Sequence, residues 1–404
     1  MTLPNRSAAA EFDRSPQKTM LLWTFAALAT LSVFIGLWQF IAALRFPLHR
    51  RHAPLAAPPA VTILKPLKGC DAETTACLTS WLTQDYPAPV QIMFGVASPS
   101  DLVCELVREL LTRFPRADAQ LVICGESLGA NAKVSSLVQL ERLARHPVIV
   151  VSDADVRVPA DFLAQAVRPL AEPGVGLVNC FYRLANPANL AMHWESVAVN
   201  ADFWSQVTQS LTLQPMSFAL GAVMLTRREQ LGEIGGFTAV VNHLADDYQL
   251  GNRIARRGHR LAICPVVVEC WSGPMTAAEV WSHQLRWART IRICQPLPYF
   301  FSILSNATVW PLLWLAVAAS AAANATALTQ PLFGVALCLA FRIASARILL
   351  TRLAGDSRDT SPAWLAPVKD LLQALIWALA FLGNHVVWRG IRYRVERDGR
   401  LVPE

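Results

Sequence analysis

Apolar residues form long and short segments along this chain, and one long segment lies near the N-terminus. Residues 20–44 are continuously apolar, with Gln39 as the one strongly polar side chain. About 20 consecutive apolar residues are enough for a helix to cross a bilayer. The stretch exceeds the apolar core of a signal peptide, and no small-residue cleavage site precedes the basic residues that follow it. We therefore expect residues 20–44 to be a retained membrane anchor after an N-terminal tail, residues 1–19.

Between residues 61 and 293, shorter apolar runs alternate with amphipathic segments. The apolar runs, which predict β-strands, are Val61–Pro66, Val90–Val96, Gln120–Cys124, Val148–Val151 and Val175–Cys180. The amphipathic segments, which predict helices, are Ala72–Thr83, Asp101–Phe114, Ala132–Ala144 and Pro159–Ala171. Strands that alternate with helices form mostly parallel sheets with right-handed crossovers. The pattern predicts an α/β domain over residues 61–293, joined to the anchor by a Pro/Ala-rich linker, residues 53–60.

The chain becomes strongly apolar again after residue 293, which predicts a C-terminal membrane region and basic tail over residues 294–404. The expected membrane spans are residues 302–323, 328–343 and 371–388. An earlier segment, residues 188–220, is rich in aromatic side chains but too polar to span. It fits either a helix on the membrane surface or ordinary helices of the domain.

Basic residues beside the predicted spans indicate the orientation of the chain. Arg45, Arg50 and Arg51 follow the first apolar stretch, and basic flanks favour the cytoplasmic side. Arg342, with two further arginines, would lie at the cytoplasmic end of the second C-terminal span. We therefore expect a multi-pass protein of the cell membrane whose α/β domain faces the cytoplasm. If all four segments span, the basic tail ends outside, against the same rule, so a re-entrant last segment is the alternative.

Composition excludes several classes of function. Apolar residues make up 53% of the chain and charged residues 16%, with a net charge of +7. The positive charge suits an anionic cytoplasmic leaflet. No module with interleaved aromatic and basic residues indicates nucleic-acid binding. The nine cysteines contain no CxxC pair, so neither a zinc site nor a disulfide framework is expected.

Two carboxylates, Asp153 and Asp155, directly follow the apolar run Val148–Val151. Alternate residues of a strand project to the same side, and open α/β sheets bind ligands at the carboxyl ends of their strands. A polar turn after a buried strand would also account for both aspartates. In this position, however, the pair predicts a Mg²⁺ or Mn²⁺ site that bridges the phosphate oxygens of a nucleotide-sugar.

A second acidic cluster, Asp246-Asp247, precedes a helical pattern that Gly258 ends. Acidic residues at this position stabilise a helix through its cap and its dipole. Two adjacent carboxylates also raise one another's pKa, which suits a general base near neutral pH. We expect Asp246 to cap the helix and Asp247 to face the site as the base.

A third cluster, His283-Gln284-Leu285-Arg286-Trp287, lies in a predicted helix from Ala277 to Ile291. Residues three apart on a helix share a face, so His283 and Arg286 point the same way. The guanidinium fork of Arg286 matches phosphate oxygens and predicts a contact with a diphosphate. An interfacial helix with an aromatic and basic belt is the alternative.

Eight short stretches together carry a family resemblance. They are Leu64–Gly69, Gln84–Pro87, Asn131–Lys133, Ser152–Asp155, Gly221–Met224, Ala245–Tyr248, His283–Trp287 and Trp388–Arg394. In these stretches the chain resembles family 2-type glycosyltransferases of the GT-A fold, and most of all the ceramide glucosyltransferase family. Bacterial glycosyltransferases of hopanoid biosynthesis look similar as well. The resemblance extends from about Val61 to the C-terminus.

The resemblance implies a uridine-contacting aspartate after the second strand, a metal-binding DxD, a base in the Asp-Asp-Tyr segment and an (R/Q)xxRW motif. The implied donor-binding residues are Asp101, Lys133, Asp153, His283, Arg286 and Trp287. The implied metal ligands are Asp153 and Asp155, and the implied catalytic residues are Asp247 and Arg286. Two positions depart from the pattern. Ser98 stands where relatives often carry an aspartate, which leaves Asp101 as the acid of that segment, and His283 stands in place of Arg or Gln.

These observations predict an integral-membrane, inverting glycosyltransferase that moves a sugar from a UDP-sugar to a lipid hydroxyl. Such a displacement needs no covalent enzyme nucleophile. Glucose and ceramide are the favoured sugar and acceptor, and transfer of N-acetylglucosamine to a hopanoid lipid is the alternative. A processive polysaccharide synthase comes third, because few spans follow the domain. A catalytically inactive membrane assembly protein is the alternative from a different class. We further expect Lys65 and Lys133 to contact the diphosphate; the sequence does not indicate an oligomeric state.

Overall fold

The computed structural model describes residues 16–322, 324–357, 362–388 and 390–404, and only the backbone of residue 388. Within these residues an α/β domain lies between one long helix, α1 (Pro16–Arg45), and a group of C-terminal helices. Most of the predicted N-terminal tail lies outside the described residues. The anchor helix begins at Pro16, before its predicted start at residue 20.

A mixed sheet of eight strands forms the centre of the α/β domain. The strands are β1 Val61–Leu67, β2 Val90–Val96, β3 Asp118–Ile123, β4 Val148–Ser152, β5 Val156–Arg157, β6 Val175–Leu184, β7 Val223–Arg227 and β8 Arg260–Cys270. Their order is β3-β2-β1-β4-β7-β6-β8-β5. The first four strands in this order, β3, β2, β1 and β4, run parallel to one another, and β6 runs parallel to β8. The predicted α/β class is confirmed, with β5, β7 and β8 as strands that were not predicted; β7 runs antiparallel between β4 and β6.

Strands β1 and β4 lie in the interior of the sheet, and their side chains are buried on both of its faces. On one face Ile63 and Val150 belong to an apolar core, and on the other Leu64 and Val151 belong to a second core. A continuous β-branched run is typical of a strand covered on both sides. The apolar run before Asp153 therefore ends at a rigid position in the middle of the sheet.

Helices cover both faces of the sheet. They are α2 Thr74–Leu82, α3 Val103–Arg113, α4 Ala132–Leu143, α5 Phe162–Ala166, α6 Leu190–Val197, α7 Trp204–Leu211, α8 Arg228–Glu233, α9 Asp246–Arg256 and α10 Ala277–Cys294. The predicted helix 159–171 is shorter, because α5 ends at Ala166 and a separate 3₁₀ turn follows. A π-helical turn, Ala198–Phe203, joins α6 to α7. Trp204 is fully buried there, in a core that it shares with Ala43 of α1, so the segment 188–220 packs against the predicted anchor, and its position on a membrane surface stays a prediction.

The C-terminal region contains α11 Pro296–Phe301, α12 Val309–Ala321, α13 Thr329–Ala354 and α14 Leu365–Ala380. Helix α1 and the helical stretch 325–354 are each long and apolar enough to cross a membrane. A third candidate is the pair Pro296–Ser305 and Val309–Ala321, bent by 54° at its break. The predicted spans 302–323 and 328–343 thus differ in their limits: the first is interrupted, and the helix of the second continues to Ala354.

The predicted span 371–388 is wrong in its second half. Helix α14 ends at Ala380, and a small antiparallel sheet follows, made of β9 His385–Trp388, β10 Ile391–Val395 and β11 Leu401–Pro403. Gly383 and Asn384 interrupt the apolar run, and the alternation beyond them buries Val386, Tyr393 and Leu401 against Leu244 of the α/β domain. This sheet packs on the α/β domain, so the basic tail lies against that domain. The predicted conflict with the positive-inside rule assumed that residues 371–388 span, and these residues do not form one helix.

Arg342 has a different environment from the one predicted. It was predicted at the end of a span, but it lies in the middle of α13, where it is buried and forms ion pairs with Asp202 and Asp370, both at 2.8 Å. Lys369 contacts the same two carboxylates. Buried charges are tolerated when they are paired and hydrogen-bonded. This network fastens α13 and α14 to the π-helical turn of the α/β domain.

Candidate active site

A buried lysine on the neighbouring strand β1 fixes the carboxyl end of β4. Lys65 of β1 is fully buried, and its ammonium donates to Ser152 Oγ at 3.1 Å and to the Asp153 carbonyl at 2.7 Å. It also lies 5.0 Å from the ring centroid of Trp81. Burial lowers the pKa of Lys65 to about 8, although nearby acidic groups oppose the shift. The expected diphosphate contact of Lys65 is wrong, because its buried ammonium donates to Ser152 and Asp153 at the end of β4.

A second lysine, Lys133, links the two acidic clusters. Its helix α4 begins at Ala132 and is capped by Asn131, whose side chain accepts from the Val134 N–H. The Lys133 ammonium lies 2.7 Å from Asp153 Oδ1 and 3.0 Å from Asp246 Oδ2. Burial alone would lower the pKa of Lys133, but these two carboxylates outweigh it and raise the pKa well above its ordinary value. Lys133 is therefore a permanent cation between the clusters; its predicted diphosphate contact stays a prediction.

Asp155 follows two residues after Asp153, at the same strand end. Its side chain reaches solvent, yet desolvation, together with the charge of Asp153, raises the pKa of its carboxyl to about 6. Its backbone is fixed, because the Asp155 carbonyl accepts from the Trp271 N–H at 2.9 Å. The DxD pair therefore presents two carboxylates, of which Lys133 neutralises one.

The donor set at Asp153 and Asp155 fits a hard divalent cation that is shared with a substrate. Among the described residues no group of three or more His, Cys, Asp or Glu side chains could hold a metal ion. Mg²⁺ is usually bound by one or two carboxylates together with substrate phosphates and water. Two adjacent carboxylates at an open cleft match that mode. They do not match a metal site in which the protein supplies every ligand.

Asp246 and Asp247 begin α9, but the predicted helix cap is wrong. The N-cap residue is Ala245, and no side chain caps the helix. Asp246 instead pairs with Lys133. The Asp247 carboxylate accepts from the Tyr248 N–H at 2.7 Å. Desolvation, followed by the charge of Asp246, raises the pKa of Asp247 to about 7, which suits a general base at neutral pH.

The space for the Asp247 carboxylate is provided by a glycine. A Cβ atom at Gly221 would lie 2.7 Å from Asp247 Oδ2 and 3.3 Å from its Cγ. Gly221 comes directly before Ala222, whose carbonyl accepts from the Asp153 N–H at 3.2 Å. The loop before β7 thus brings the second acidic cluster beside the DxD pair. No other residue type would leave this space open.

Helix α10 carries the third cluster and is longer than predicted, ending at Cys294. A capping box between Thr276 and Glu279 fixes its first turn. The Arg286 guanidinium makes no hydrogen bond or ion pair with any residue that the structure describes. Burial lowers the pKa of Arg286, while the charges of Glu195 and Asp247 oppose the shift. Arg286 is thus an unpartnered cation near Asp247.

The remaining members of the predicted site are His283, Trp287 and Asp101. The rings of His283 and Trp287 are in contact, with centroids 4.4 Å apart. The Asp101 carboxylate accepts from the backbone N–H groups of Gly69 and Val103, each at 3.0 Å. Asp101 therefore orders the loop after β1, and its contact with uridine stays a prediction.

Two polar residues of the site were missed by the sequence analysis. Glu195 is buried and accepts from His283 Nδ1 at 2.7 Å. Tyr182 lies on β6; burial, with contributions from Cys270 and Asp247, raises the pKa of its hydroxyl well above the ordinary value. Tyr182 lies beyond the predicted end of its strand, which continues to Leu184. Glu195 is a single acid in an aromatic segment, and no local pattern marks it.

The small C-terminal sheet holds both loops that lead into the lysine and aspartate helices. Leu401 N–H donates to the Asn242 carbonyl at 2.8 Å, and the Tyr393 hydroxyl donates to the Ala130 carbonyl at 3.3 Å. The Asn131 side chain in turn donates to the His243 carbonyl at 2.8 Å. The stretch Trp388–Arg394, of which Arg389 lies outside the described residues, is thus part of the support of the site.

The mixed sheet, with acidic side chains at the carboxyl end of its central strand, defines the GT-A class of glycosyltransferase folds. A mannosyltransferase from Pyrobaculum calidifontis, solved in complex with GDP-Man and Mn²⁺, has this architecture. It aligns with a TM-score of 0.54 over 83% of this chain and 97% of that chain, at 24% sequence identity. The predicted GT-A fold is therefore confirmed.

The chain belongs to glycosyl transferase family 21, whose family model matches residues 21–401. It is 24% identical over 260 residues to ceramide glucosyltransferase 3 of Caenorhabditis elegans, covering 64% of this chain and 56% of that protein. It is 31% identical over 118 residues to a ceramide glucosyltransferase of Candida albicans, covering 26% of this chain and 22% of that protein. The chain thus spans about half, or less, of the curated relatives that it matches. The resemblance to the ceramide glucosyltransferase family is confirmed.

Proposed function

We propose that this protein is a membrane-bound, inverting glycosyltransferase that moves a sugar from a UDP-sugar to a lipid hydroxyl. One observation carries the proposal. A DxD pair, a carboxylate whose pKa is about 7 and an unpartnered arginine converge at one end of the central sheet. Metal-binding acids, a base and a cation are the groups that transfer from a nucleotide-sugar requires.

Asp153 and Asp155 would hold Mg²⁺ or Mn²⁺, and a cation bound there would neutralise charge on the leaving diphosphate. Lys133 keeps Asp153 and Asp246 from repelling each other, so that the carboxylates can lie close together.

Asp247 takes the proton of the acceptor hydroxyl as that oxygen attacks the anomeric carbon. The bond between the anomeric carbon and the diphosphate oxygen breaks, and its electron pair leaves with the nucleotide. Arg286 and His283 donate hydrogen bonds to that diphosphate, and Trp287 forms a wall beside the sugar. Asp101 contributes to the uridine side of the site. Inversion follows, because a single displacement occurs with no enzyme nucleophile.

A lipid acceptor is supported by the position of α10 in the chain. This helix carries Arg286 and ends at Cys294, and α11 begins at Pro296. Helix α11 exposes Leu297, Phe300 and Phe301, which are 50–69% accessible. It leads directly into α12, a candidate membrane segment. Apolar surface continuous with a membrane helix lies at the bilayer boundary, so a lipid hydroxyl can reach the cleft without leaving the membrane.

Family membership favours glucose as the sugar and ceramide as the acceptor, and we place the α/β domain on the cytoplasmic side of the cell membrane. N-acetylglucosamine transfer to a hopanoid lipid is the alternative. The basic flank Arg45–Arg51 and the basic tail both lie with the α/β domain, as the positive-inside rule expects for a cytoplasmic domain.

The test uses the full chain in detergent micelles with lipid. UDP-glucose and UDP-N-acetylglucosamine are each incubated with ceramide or with a hydroxylated hopanoid, and glycolipid is measured by mass spectrometry. We expect glucosylceramide in the presence of Mn²⁺ or Mg²⁺, its loss with EDTA and its return with added metal. Product from UDP-N-acetylglucosamine and the hopanoid alone would establish the alternative. Absence of UDP binding and of every glycolipid would refute the proposed function.

A further inference from the structure

Glu195 of α6 is a carboxylate buried in the protein and directed at the third cluster. It is 1% exposed. Its Oε1 atom accepts from His283 Nδ1 at 2.7 Å and from Gln284 Nε2 at 2.9 Å. Among the described residues no lysine or arginine forms an ion pair with it, so His283 is its one ionisable hydrogen-bond partner. Burying a carboxylate in this way costs free energy unless its partners compensate.

The contact with Glu195 determines which nitrogen of His283 remains for a ligand. An ionised carboxylate only accepts hydrogen bonds, so Nδ1 carries a hydrogen atom. None of the described residues binds the other nitrogen, Nε2, and the side chain is 28% exposed. The Trp287 ring packs against the imidazole and limits its rotation. Arg286 lies on the same face of α10, one turn away.

We propose that Glu195 is a positioning residue, which orients His283 so that Nε2–H donates to the leaving diphosphate beside Arg286. The inference rests on the proposed function, because it requires a diphosphate leaving group. Glu195 and the diphosphate oxygens are both acceptors, so the ring between them carries a hydrogen atom on each nitrogen and a positive charge. The pair transfers no proton. It stabilises the diphosphate as that group takes the electron pair of the broken bond.

The pair also gives a reason for histidine at this position of the motif. Arg or Gln donates hydrogen bonds with its own side chain and needs no partner to define its donors. A histidine whose Nδ1–H donates to a carboxylate also donates through Nε2 only when both nitrogens carry hydrogen, and a neighbouring carboxylate favours that charged form. Glu195 is thus expected to matter only while residue 283 is histidine.

The test is a double-mutant cycle with Glu195→Gln, His283→Gln and the double variant, each measured in UDP-sugar transfer. Glu195→Gln keeps the size of the side chain and removes its charge. We expect kcat to fall about tenfold, a size typical of lost supporting contacts, with the KM of the lipid acceptor unchanged. In the His283→Gln background, the same substitution should change kcat less than twofold. Equal losses in both backgrounds, or no loss in either, would overturn the proposal.

A matched control exists at the opposite edge of the sheet. Glu233 and His259 also form a Glu–His pair at 2.7 Å, and His259 directly precedes the start of β8. Glu233→Gln should leave kcat unchanged. If Glu233→Gln lowers kcat as much as Glu195→Gln does, the loss reflects the fold, and the proposal fails.

Binding of UDP separates this proposal from the proposed function. UDP binding is measured by calorimetry with Mn²⁺ present. Glu195→Gln and His283→Gln should each have a Kd about tenfold higher than the wild type. The double variant should have the same Kd as His283→Gln. Thermal melting verifies that each variant is folded. If the wild type does not bind UDP, the proposed function fails. If the wild type binds UDP and Glu195→Gln binds it equally well, the positioning role of Glu195 is wrong.

Discussion

The space beside Asp247 leads to a sharp prediction for Gly221→Ala. The added methyl group would lie 2.7 Å from Asp247 Oδ2 and 3.3 Å from Cγ, whereas non-bonded heavy atoms prefer about 3.5 Å or more. The carboxylate must therefore move by about 0.5–1 Å, since a Tyr248 N–H bond and its helix hold it from the other side. Misplacement by about 1 Å costs about a hundredfold in rate, which corresponds to about 2.7 kcal/mol in the activation barrier.

The assay is single-turnover transfer of labelled glucose from UDP-glucose to ceramide, with UDP binding measured in parallel. We expect kcat to fall about 30- to 100-fold, while the Kd of UDP changes less than twofold, because the three atoms nearest to the added methyl group all belong to Asp247. Gly232→Ala is the matched control, since a Cβ there meets nothing within 4 Å. Gly221→Ala with more than half of wild-type turnover would refute the assignment of Asp247 as the tightly held base.

Three further predictions follow from the same geometry. Lys133→Met should weaken binding of the UDP-sugar and lower kcat at least tenfold, because Asp153 and Asp246 lose the cation between them; near-normal kinetics would contradict this role. Asp247 accepts a proton only when it is ionised, so kcat/KM should fall as the pH drops below about 7, and a flat profile between pH 5.5 and 8 would exclude it as the base. Removal of residues 384–404 should lower kcat at least tenfold, and Tyr393→Phe should lower it about two- to threefold, since the C-terminal sheet holds the loops of Lys133 and Asp247; full activity of the shortened chain would show that the sheet is dispensable.

Much of the central sheet could be predicted from the sequence because its strands are buried on both faces. A continuous β-branched run such as Val148–Val151 has few other stable environments. Strands β5 and β7 were missed because they pair antiparallel with distant residues, and β8 was missed because Pro265 interrupts its apolar run. The last predicted span was wrong because helix and strand share an apolar composition, and only the contacts with Leu244 and Asn242 select a sheet after Ala380.

The acidic residues of the candidate site were predictable, whereas their partners were not. Asp153, Asp155 and Asp247 stand at the ends of elements, where sheet topology brings side chains together. The burial of Lys65 depends on Trp81 and on the register of β1 with β4, which spacing along the chain does not contain. Glu195 meets His283 across 88 residues of sequence, so only the packed structure reveals this pair.

The central claim is that Asp247 is the base in transfer of a sugar from a UDP-sugar to a lipid. The most direct measurement compares kcat and UDP affinity of Asp247→Asn with those of the wild-type protein, both verified as folded by thermal melting. Loss of a general base lowers the rate by about two to four orders of magnitude. We predict a kcat at least a hundredfold lower with the Kd of UDP unchanged, and near-normal turnover by Asp247→Asn would contradict the account.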